Sequence, residues 1–533
     1  MESICRQHHL LVDEGGVVRV PFLIKGRLVV PPDMSRNEIE TAFAQAGEDA
    51  AYVRRPGAQL IREAIIDRST MRYTSEYRYQ VLPPSDPLDL IETDIDKLVR
   101  GPYALTVEDV LQYLQVIGDA LQANWATVDR VRALCQCTTE HPDLFLDGAF
   151  AALHVGLDAQ VARRMIDTEL SIWQVPGSRF LDGWVEVPSE LIPGLAPMLA
   201  QNLRGADTSL SQPTTTCIRA MPTRQLHITA GNAPQIPIIS ALRLALTKSA
   251  GVVKSPHEVT LPGALLALAA ISAAPDHPLT QNLSIVYWQG GDERVENALF
   301  APGAFDRIVV WGAPEAVTSV QSRAGFTKTV CFNPRYGISL IGREAFAGHL
   351  DPVVFAAAVD TLIYNQKACT ASQVQYVEGT PEQIEQYADR LADILSRWDE
   401  LAPPFVPPAV RGQLKRMKRG KYSRAQWRTN TIQDEFTSGV VIMPDEFNIL
   451  DHPMCRLVMI RQVNDLKDAL GYLHQGVSTV GVYPEARRIE LRDSIAARGV
   501  SNVLPLGQCE RVFPGAPQDG MMVLNELVEW KNA

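Results

Sequence analysis

Hydrophobic and polar positions follow two different periods along the chain. Near the N-terminus, the run VVRVPFLIKGRLVV alternates apolar and polar residues around a Lys-Gly turn, which predicts short strands. From residue 105 to about 168 the apolar residues recur at spacings of three and four, which predicts amphipathic helices. The Pro-rich segment VLPPSDPLDL lies between these stretches and indicates a boundary.

The middle of the chain alternates strands with helices. The predicted strands are QLHITAG, GVVKSP, LSIVYWQGG and FDRIVVWG, and the helices include APQIPIISALRLALTKS and GALLALAAISAA. This alternation predicts a parallel sheet with crossover helices, an architecture that binds nucleotides in many proteins. A second α/β region follows residue 343, interrupted by LAPPFVPPAV and by a basic run from Arg411 to Arg424. The fold class we expect is α/β.

Composition and charge argue against nucleic acid as the main partner, a membrane span and a metal site. The chain has 533 residues and a net charge of -11, which argues against nucleic acid as the main partner. We read no signal peptide at the N-terminus, and the longest apolar segment, 263–274, is too short for a membrane span. Of eight cysteines, Cys135 and Cys137 alone are close together, without a second Cys/His pair at zinc-finger spacing. We therefore expect no metal site, and reduced thiols in a cytoplasmic protein.

One cysteine has a setting that suits a nucleophile. Cys369 lies among small and polar residues in YNQKACTASQ, directly after the apolar run VVFAAAVDTLI. A nucleophilic cysteine needs partial exposure, positive potential and donors for an oxyanion. A turn after a helix, with Lys367 two positions away, could supply exposure and potential. A buried structural thiol is the competing interpretation, and no neighbouring histidine suggests a Cys–His dyad.

A second candidate lies at the end of a predicted strand. Asn232, in ITAGNAPQIP, comes where ligands bind in open α/β sheets, at the carboxyl edge of the strands. Its side-chain amide could donate to an oxyanion. An Asn after Gly also forms ordinary turns, so the residue alone does not decide between the two roles.

Together these two segments resemble the aldehyde dehydrogenase superfamily. In that family, an Asn in a Pro-x-Asn-x-Pro-like turn and the backbone N–H of the catalytic Cys form the oxyanion hole. GNAP matches this turn at Asn232 and Pro234. NQKAC is similar to the family's Gly-Gln-x-x-Cys-like segment at Gln366 and Cys369, with Asn365 in place of the usual Gly.

The resemblance is closer to one branch, the LuxC-type acyl-CoA reductases, through HITAGNAPQIPIIS, VVWG, NQKACTASQ and the ending RGVSNVLPLGQ, over about residues 220–533. It implies NADPH-dependent reduction of an acyl-CoA, of the fatty acyl class, to the aldehyde through an S-acyl intermediate on Cys369, with release of CoA. An acyl-carrier protein as donor, a homo-oligomer and a complex with an acyl-activating partner remain open. So do two other functions: a non-redox acyl-transfer protein using the same Cys, and an oxidative aldehyde dehydrogenase.

The resemblance also implies two α/β domains. Residues 1–343 would contain an N-terminal segment and a Rossmann-like NADP(H)-binding domain. Residues 344–490 would form the catalytic domain that carries the Cys nucleophile, and residues 491–533 a C-terminal segment.

Cofactor contacts follow from the same resemblance. VVKSP resembles the family's Val-Val-Lys-Pro-Ser-Glu, so Lys254 would contact the adenosine ribose. Gly312, in IVVWGAPEAV, would lie beside the pyrophosphate. His257 stands where NAD-preferring members carry the Glu that binds the ribose 2′-hydroxyl, which removes an electrostatic objection to NADPH. His257 could equally be a solvated loop residue.

Three features depart from the family pattern or stay unassigned. Cys331, in KTVCFNPRYG, aligns with the Glu that activates water in oxidising members, and a site without that base should hydrolyse its acyl-enzyme slowly. The Glu that binds the nicotinamide ribose has no clean match, because Glu446 and Phe447 have the wrong spacing to Pro453. The basic run could meet CoA phosphates or an acidic carrier protein, or form a solvated helix face.

Overall fold

The computed structural model describes residues 1–187, 216–445, 448–511 and 513–533. The strands are β1 (Val17–Arg19), β2 (Phe22–Ile24), β3 (Arg27–Val29), β4 (Tyr52–Arg55), β5 (Ala58–Asp67), β6 (Arg72–Leu82), β7 (Val185–Val187), β8 (Thr216–Met221), β9 (Arg224–Ile228), β10 (Ala250–Lys254), β11 (Leu283–Val286), β12 (Arg307–Trp311), β13 (Lys328–Phe332), β14 (Tyr336–Ile341), β15 (Ser372–Glu378), β16 (Gln426–Ile432), β17 (Glu435–Ile442), β18 (Leu457–Val463), β19 (Val477–Tyr483), β20 (Asn502–Pro505) and β21 (Glu529–Asn532).

The α-helices alternate with these strands. They are Glu2–His8, Arg36–Ala46, Pro87–Leu90, Ile95–Arg100, Val107–Ala123, Trp125–Gln136, Asp143–Ala151, Ala159–Glu169, Gly177–Asp182, Ile236–Leu246, Thr260–Ala273, Pro278–Gln281, Glu293–Leu299, Pro314–Ala324, Leu350–Leu362, Pro381–Leu401, Pro408–Arg419, Glu485–Ala496 and Val523–Leu527. The structure confirms the α/β class, and also the helices predicted between residues 105 and 168.

The first large sheet has the order β13-β12-β9-β10-β11-β2-β3. Its five strands from β13 to β11 are parallel, and four of them, β9 to β12, are the strands that the alternation of strands and helices predicted. The helix Thr260–Ala273 packs in the core with nearly its whole length buried, which explains why its sequence has no polar face. The chain runs outward from β9 through β10 to β11, then returns to β12 on the other side of β9. This reversal creates the topological switch point at which such sheets bind ligands.

The N-terminal hairpin β2–β3 extends this sheet. Lys25 and Gly26 have φ of 45° and 76°, the left-handed pair of a two-residue hairpin turn, which confirms the predicted Lys-Gly turn. Strand β2 pairs antiparallel with β11, so a segment more than 250 residues upstream completes the sheet's edge.

The second large sheet has the order β16-β17-β18-β15-β14-β19-β20 and is parallel apart from the β16–β17 pair. The helices Leu350–Leu362 and Pro381–Leu401 share a buried cluster on one face. Leu491 and Ile495 of the helix Glu485–Ala496 pack in the cluster on the other. Strands β14 and β20 belong to this sheet although they lie outside residues 344–490, and the domain limits at 343 and 490 stay a prediction.

Two smaller sheets complete the fold. The N-terminal strands form β1-β6-β5-β4, and the C-terminal strand β21 joins β8 and β7 in a three-stranded sheet. Within the part of the chain that the structure describes, no single helix is long and apolar enough to cross a membrane. The bent pair Asp143–Leu157 and Ala159–Glu169 reaches that length and apolarity only when its two halves are taken together.

Candidate active site around Cys369

Cys369 lies in a loop with an unusual backbone. We call residues 363–371 the nucleophile loop; it joins the helix Leu350–Leu362 to β15. Tyr364, Asn365 and Gln366 have φ of 47°, 57° and 63°, in the left-handed region that side chains with a Cβ rarely adopt. Asn tolerates this region better than most residues, which explains physically how Asn365 can replace a Gly.

A buried arginine fixes this loop. Arg456 donates from Nε to Asn365 Oδ1 at 2.9 Å, from Nη2 to the Ala402 carbonyl at 2.8 Å, and pairs through Nη1 with Asp399 Oδ1 at 2.6 Å. Gln366 Nε2 donates to the Leu457 carbonyl at 2.8 Å. These contacts hold a strained backbone in place, as a preorganised site requires.

The thiol of Cys369 is mostly buried, and its environment favours the protonated form. Burial, followed by the negative charge of Asp519, raises the pKa of Cys369 to about 11, while Arg335 and the backbone N–H groups of Cys369 and Thr370 oppose the shift. Within the described chain, these two N–H groups donate to no carbonyl, so they remain available as oxyanion donors.

Lys367, which we expected to supply positive potential to Cys369, is paired with a carboxylate instead. Its ammonium forms an ion pair with Glu140, and its charge is not among the causes that shift the pKa of Cys369. The positive charge that lowers the pKa of Cys369 comes from Arg335, whereas the Lys367 ammonium is paired with Glu140.

Asn232 and the nucleophile loop meet, as the sequence predicted. Asn232 Nδ2 donates to the Lys367 carbonyl at 3.3 Å across 135 residues of sequence, and its Oδ1 is buried with no partner among the described residues. An amide nitrogen carries two hydrogens, so the second remains for a ligand oxygen. Asn232 thus lies beside the segment that presents Cys369.

His141 also lies at this junction, and sequence reasoning missed it. Its ring meets that of Tyr364 edge-on at 5.5 Å between centroids. Burial, followed by the positive charge of Lys367, lowers the pKa of His141 to about 4. Gln235 Nε2 donates to the Tyr364 hydroxyl at 2.5 Å and ties the two loops together. No local motif marks His141, because its position depends on the packing of the helical N-terminal half.

Two cavities flank the nucleophile loop and the segment around Asn232. The Cys369 cavity, of about 710 Å³, takes in Cys369, Thr370 and Asp519. Its apolar wall includes Phe145, Ala152, Leu153, Ile238, Ile239 and Leu242. The Asn232 cavity, of about 490 Å³, takes in Asn232, His257 and Lys367. The nucleophile loop therefore has one side facing a largely apolar cavity and the other facing a polar one.

Lys254 and Gly312, the cofactor contacts that the resemblance implies, both lie at the carboxyl edge of the first large sheet. Lys254 ends β10, and its ammonium lies 5.7 Å and 5.9 Å from the ring centroids of Tyr287 and Trp288. Burial lowers the pKa of Lys254 to about 8, and no ion pair is formed by this lysine among the residues described. Gly312 follows β12 and leads into the helix Pro314–Ala324, whose N-terminus favours phosphate. This edge fits a dinucleotide.

His257 is half exposed and has an acidic neighbour. Its Nε2 lies 3.3 Å from Glu258 Oε1. Glu258 also packs against Gly231, where an added Cβ would come within 2.5 Å of Glu258 Oε2. The carboxylate of Glu258 therefore remains at this edge even though His257 occupies the family's Glu position. The presence of His257 removes less negative charge from the edge than we expected.

The remaining candidates lie apart from Cys369. Cys331 is a half-buried residue of β13 that accepts a weak hydrogen bond from Gln321 Nε2 at 3.5 Å, and it lines neither cavity. Glu446 and Phe447 lie outside the described residues. Over the described ranges, no group of three or more His, Cys, Asp or Glu residues is placed to hold a metal ion.

Comparison with known proteins shows similarity at two levels. Residues 195–530 match the family model described as acyl-CoA reductase (LuxC). The long-chain acyl-protein thioester reductase of Vibrio harveyi is 25% identical over 59% of this chain and 65% of its own length. That of Photorhabdus laumondii is 27% identical over 59% of this chain and 64% of its own length. The match spans less than two thirds of these curated relatives.

Solved structures show the fold. Aldehyde dehydrogenase 21 from Physcomitrella patens superposes with a TM-score of 0.68 at 12% identity, over 97% of this chain and 98% of that one. The NADP-dependent glyceraldehyde-3-phosphate dehydrogenase from Bacillus halodurans gives 0.65 at 12% identity, over 96% and 98%. The predicted aldehyde dehydrogenase-like fold is confirmed, and it extends over the N-terminal residues for which the sequence offered little resemblance.

Proposed function

The chain belongs to the acyl-CoA reductase (LuxC) family, and on that premise we propose that it reduces a long-chain acyl thioester to the aldehyde, with Cys369 as the covalent acyl carrier. One observation carries this proposal. Cys369 opens into a largely apolar cavity of about 710 Å³, from a loop whose Cys369 and Thr370 N–H groups donate to no carbonyl among the described residues and which Asn232 binds at the Lys367 carbonyl. An acyl chain fits the cavity by its chemistry, and a thioester carbonyl fits the donors.

The chemistry begins at the sulfur. Cys369 attacks the thioester carbonyl, and the Cys369 N–H and the Asn232 amide hold the oxygen of the tetrahedral intermediate. The original thiol leaves, and the acyl group remains on Cys369. The apolar wall of the Cys369 cavity holds the chain.

Lys254 and Gly312 would hold NADPH at the switch point of the first sheet. When bound, NADPH would supply the hydride that converts the Cys369 thioester to an aldehyde. The same oxyanion donors support the carbonyl oxygen as the aldehyde forms and Cys369 returns as a thiol.

The acyl donor could be CoA or a protein thiol. The relatives from Vibrio and Photorhabdus are named for acyl-protein thioesters. On the helix Pro408–Arg419, Lys415, Arg416, Lys418 and Arg419 are exposed and form no ion pair within the described chain, so they suit CoA phosphates or an acidic protein surface. Replacing Lys415, Arg416 and Lys418 by Glu should raise the KM of the true donor, and an unchanged KM for both donors would leave the helix a solvated face.

The central test combines a panel of acyl-CoA and acyl-carrier thioesters with NADPH and detects the product by mass spectrometry. We expect aldehyde from long chains. Cys369→Ala should abolish both acyl labelling and NADPH oxidation. Acid as the main product, or an acyl adduct that persists in Cys369→Ala, would overturn the proposal.

A further inference from the structure

A tight hairpin places one carboxylate in the Cys369 cavity. Gln518 and Met521 exchange both backbone hydrogen bonds at 2.9 Å. Asp519 and Gly520, between them, have φ of 50° and 80°, the left-handed pair of a two-residue turn, which the Asp-Gly sequence favours. The Gln518 side chain is in turn bound by the buried Arg243. The turn is thus held at its base while Asp519, at its tip, lines the cavity with Cys369.

The Asp519 carboxylate is enclosed and has free lone pairs. Its side chain is 9% exposed, and Arg335 Nε lies 3.9 Å from Oδ1, an ion-pair distance too long for a hydrogen bond. Arg335 instead donates to Ser501 Oγ at 2.8 Å. No residue in the described ranges donates a hydrogen bond to Asp519. Burial raises the pKa of Asp519, and the charges of Arg335 and Arg243 oppose that shift.

Cys369 needs a proton acceptor. Since the pKa of Cys369 is about 11, nearly all of the thiol is protonated at pH 7. Asp519 and Cys369 line the same cavity, and the negative charge of Asp519 raises the pKa of Cys369. None of the described residues that line the Cys369 cavity is a histidine, and its other carboxylate, Glu510, is exposed to solvent.

We propose that Asp519 accepts the proton of Cys369 during acylation. This inference rests on the proposed function. As the Cys369 sulfur bonds to the acyl carbon, its proton passes to the Asp519 carboxylate. The carbon–sulfur bond of the donor breaks, and Asp519 gives the same proton to the departing thiolate. Asp519 therefore ends ionised, the donor leaves as a thiol, and no redox partner is needed for this half-reaction.

The decisive experiment compares two reactions of Cys369 in the Asp519→Asn variant. Losing the negative charge makes the thiolate easier to form, so alkylation of Cys369 by iodoacetamide at pH 7 should become severalfold faster. Single-turnover acylation by a long-chain acyl-CoA without NADPH should become slower by about 10²–10⁴-fold, because general-base help is lost. Acylation that is unchanged or faster would overturn the proposal, and so would alkylation that slows together with acylation in a folded variant.

Two further variants serve as a conservative replacement and as a control. Asp519→Glu retains a carboxylate and should recover a large part of the acylation rate, whereas a loss equal to that of Asp519→Asn would overturn the proposal. Asp493→Asn removes a carboxylate that is 96% exposed and should leave both rates unchanged. Wild-type protein that no thioester acylates would defeat the proposed function itself, a result distinct from a selective loss in Asp519→Asn.

Discussion

The ion pair between Arg456 and Asp399 should be a main support of the nucleophile loop. Their side chains are 0% and 1% exposed. Asp399 also accepts a hydrogen bond from Ser438 Oγ at 2.5 Å, while Arg456 holds Asn365 through Oδ1 at 2.9 Å. Asp399→Asn preserves the shape of the side chain but leaves a guanidinium buried without its counter-charge.

The expected cost is large. Breaking a buried ion pair by neutralising one partner costs about 3–5 kcal/mol. Burial lowers the pKa of Arg456, and the charge and hydrogen bond of Asp399 oppose that shift, so the guanidinium would lose this support in Asp399→Asn. Because 1.4 kcal/mol is a factor of ten, the unfolding equilibrium should shift by a factor between about 10² and about 4 × 10³.

The assay is urea unfolding followed by tryptophan fluorescence, since Trp398 precedes Asp399 on the same helix. Asp389→Asn is the matched control. It lies on that helix too, pairs with Arg428 at 2.8 Å and is 65% exposed, so its loss should cost less than about 1 kcal/mol. Acylation of Cys369 should slow in Asp399→Asn and stay constant in the control.

A loss of stability in Asp399→Asn no larger than in Asp389→Asn would refute the reasoning, because it would mean that the buried pair contributes no more than an exposed one. Unchanged acylation in a clearly destabilised Asp399→Asn would refute the link to the nucleophile loop alone.

Three other predictions follow from the site. Asn365→Gly should be more stable than Asn365→Ala by about 1–2 kcal/mol in urea unfolding, since both lose the Arg456 contact and Gly alone accepts φ of 57° freely; equal losses would argue against backbone strain. Ala152→Phe should fill the Cys369 cavity and slow acylation by long chains while sparing short ones, whereas Ala151→Phe, outside the cavity wall, should change neither. NADPH binding, followed by fluorescence, should weaken as pH rises through about 8, where Lys254 loses its charge, and Lys254→Met should remove that pH dependence.

The sequence predicted the strands and turns that are determined by residues close together in the chain. The alternation of short strands with helices predicted four of the five parallel strands of the first sheet, and the Lys-Gly pair predicted the turn at Gly26. Asn232 and Cys369 were paired through a resemblance to a family, and the structure brings their segments together through the Asn232 hydrogen bond to Lys367.

The electrostatics of the site could not be predicted in the same way. Glu140, His141, Arg456 and Asp519 reach the nucleophile loop from separate parts of the chain, and each acts through burial that only tertiary packing decides. Lys367 shows the consequence: it lies two residues from Cys369 in sequence, but its ammonium pairs with Glu140, 227 residues upstream. Asn365 did carry a signal, since Asn in a Gly position suggests a left-handed backbone.

The lifetime of the acyl-enzyme should depend on how completely the chain fills the Cys369 cavity. Hydrolysis needs a water, a base and the oxyanion donors, and the donors are present for any acyl group. A long chain displaces water from the cavity between Cys369 and Asp519, whereas a short chain leaves room for water near a carboxylate that could activate it. Without NADPH, a butyryl-enzyme should therefore release acid faster than a tetradecanoyl-enzyme, as measured by mass spectrometry of the intact protein over time. Equal lifetimes would mean that water is excluded by something other than the acyl chain, and the shielding role of the cavity would have to be given up.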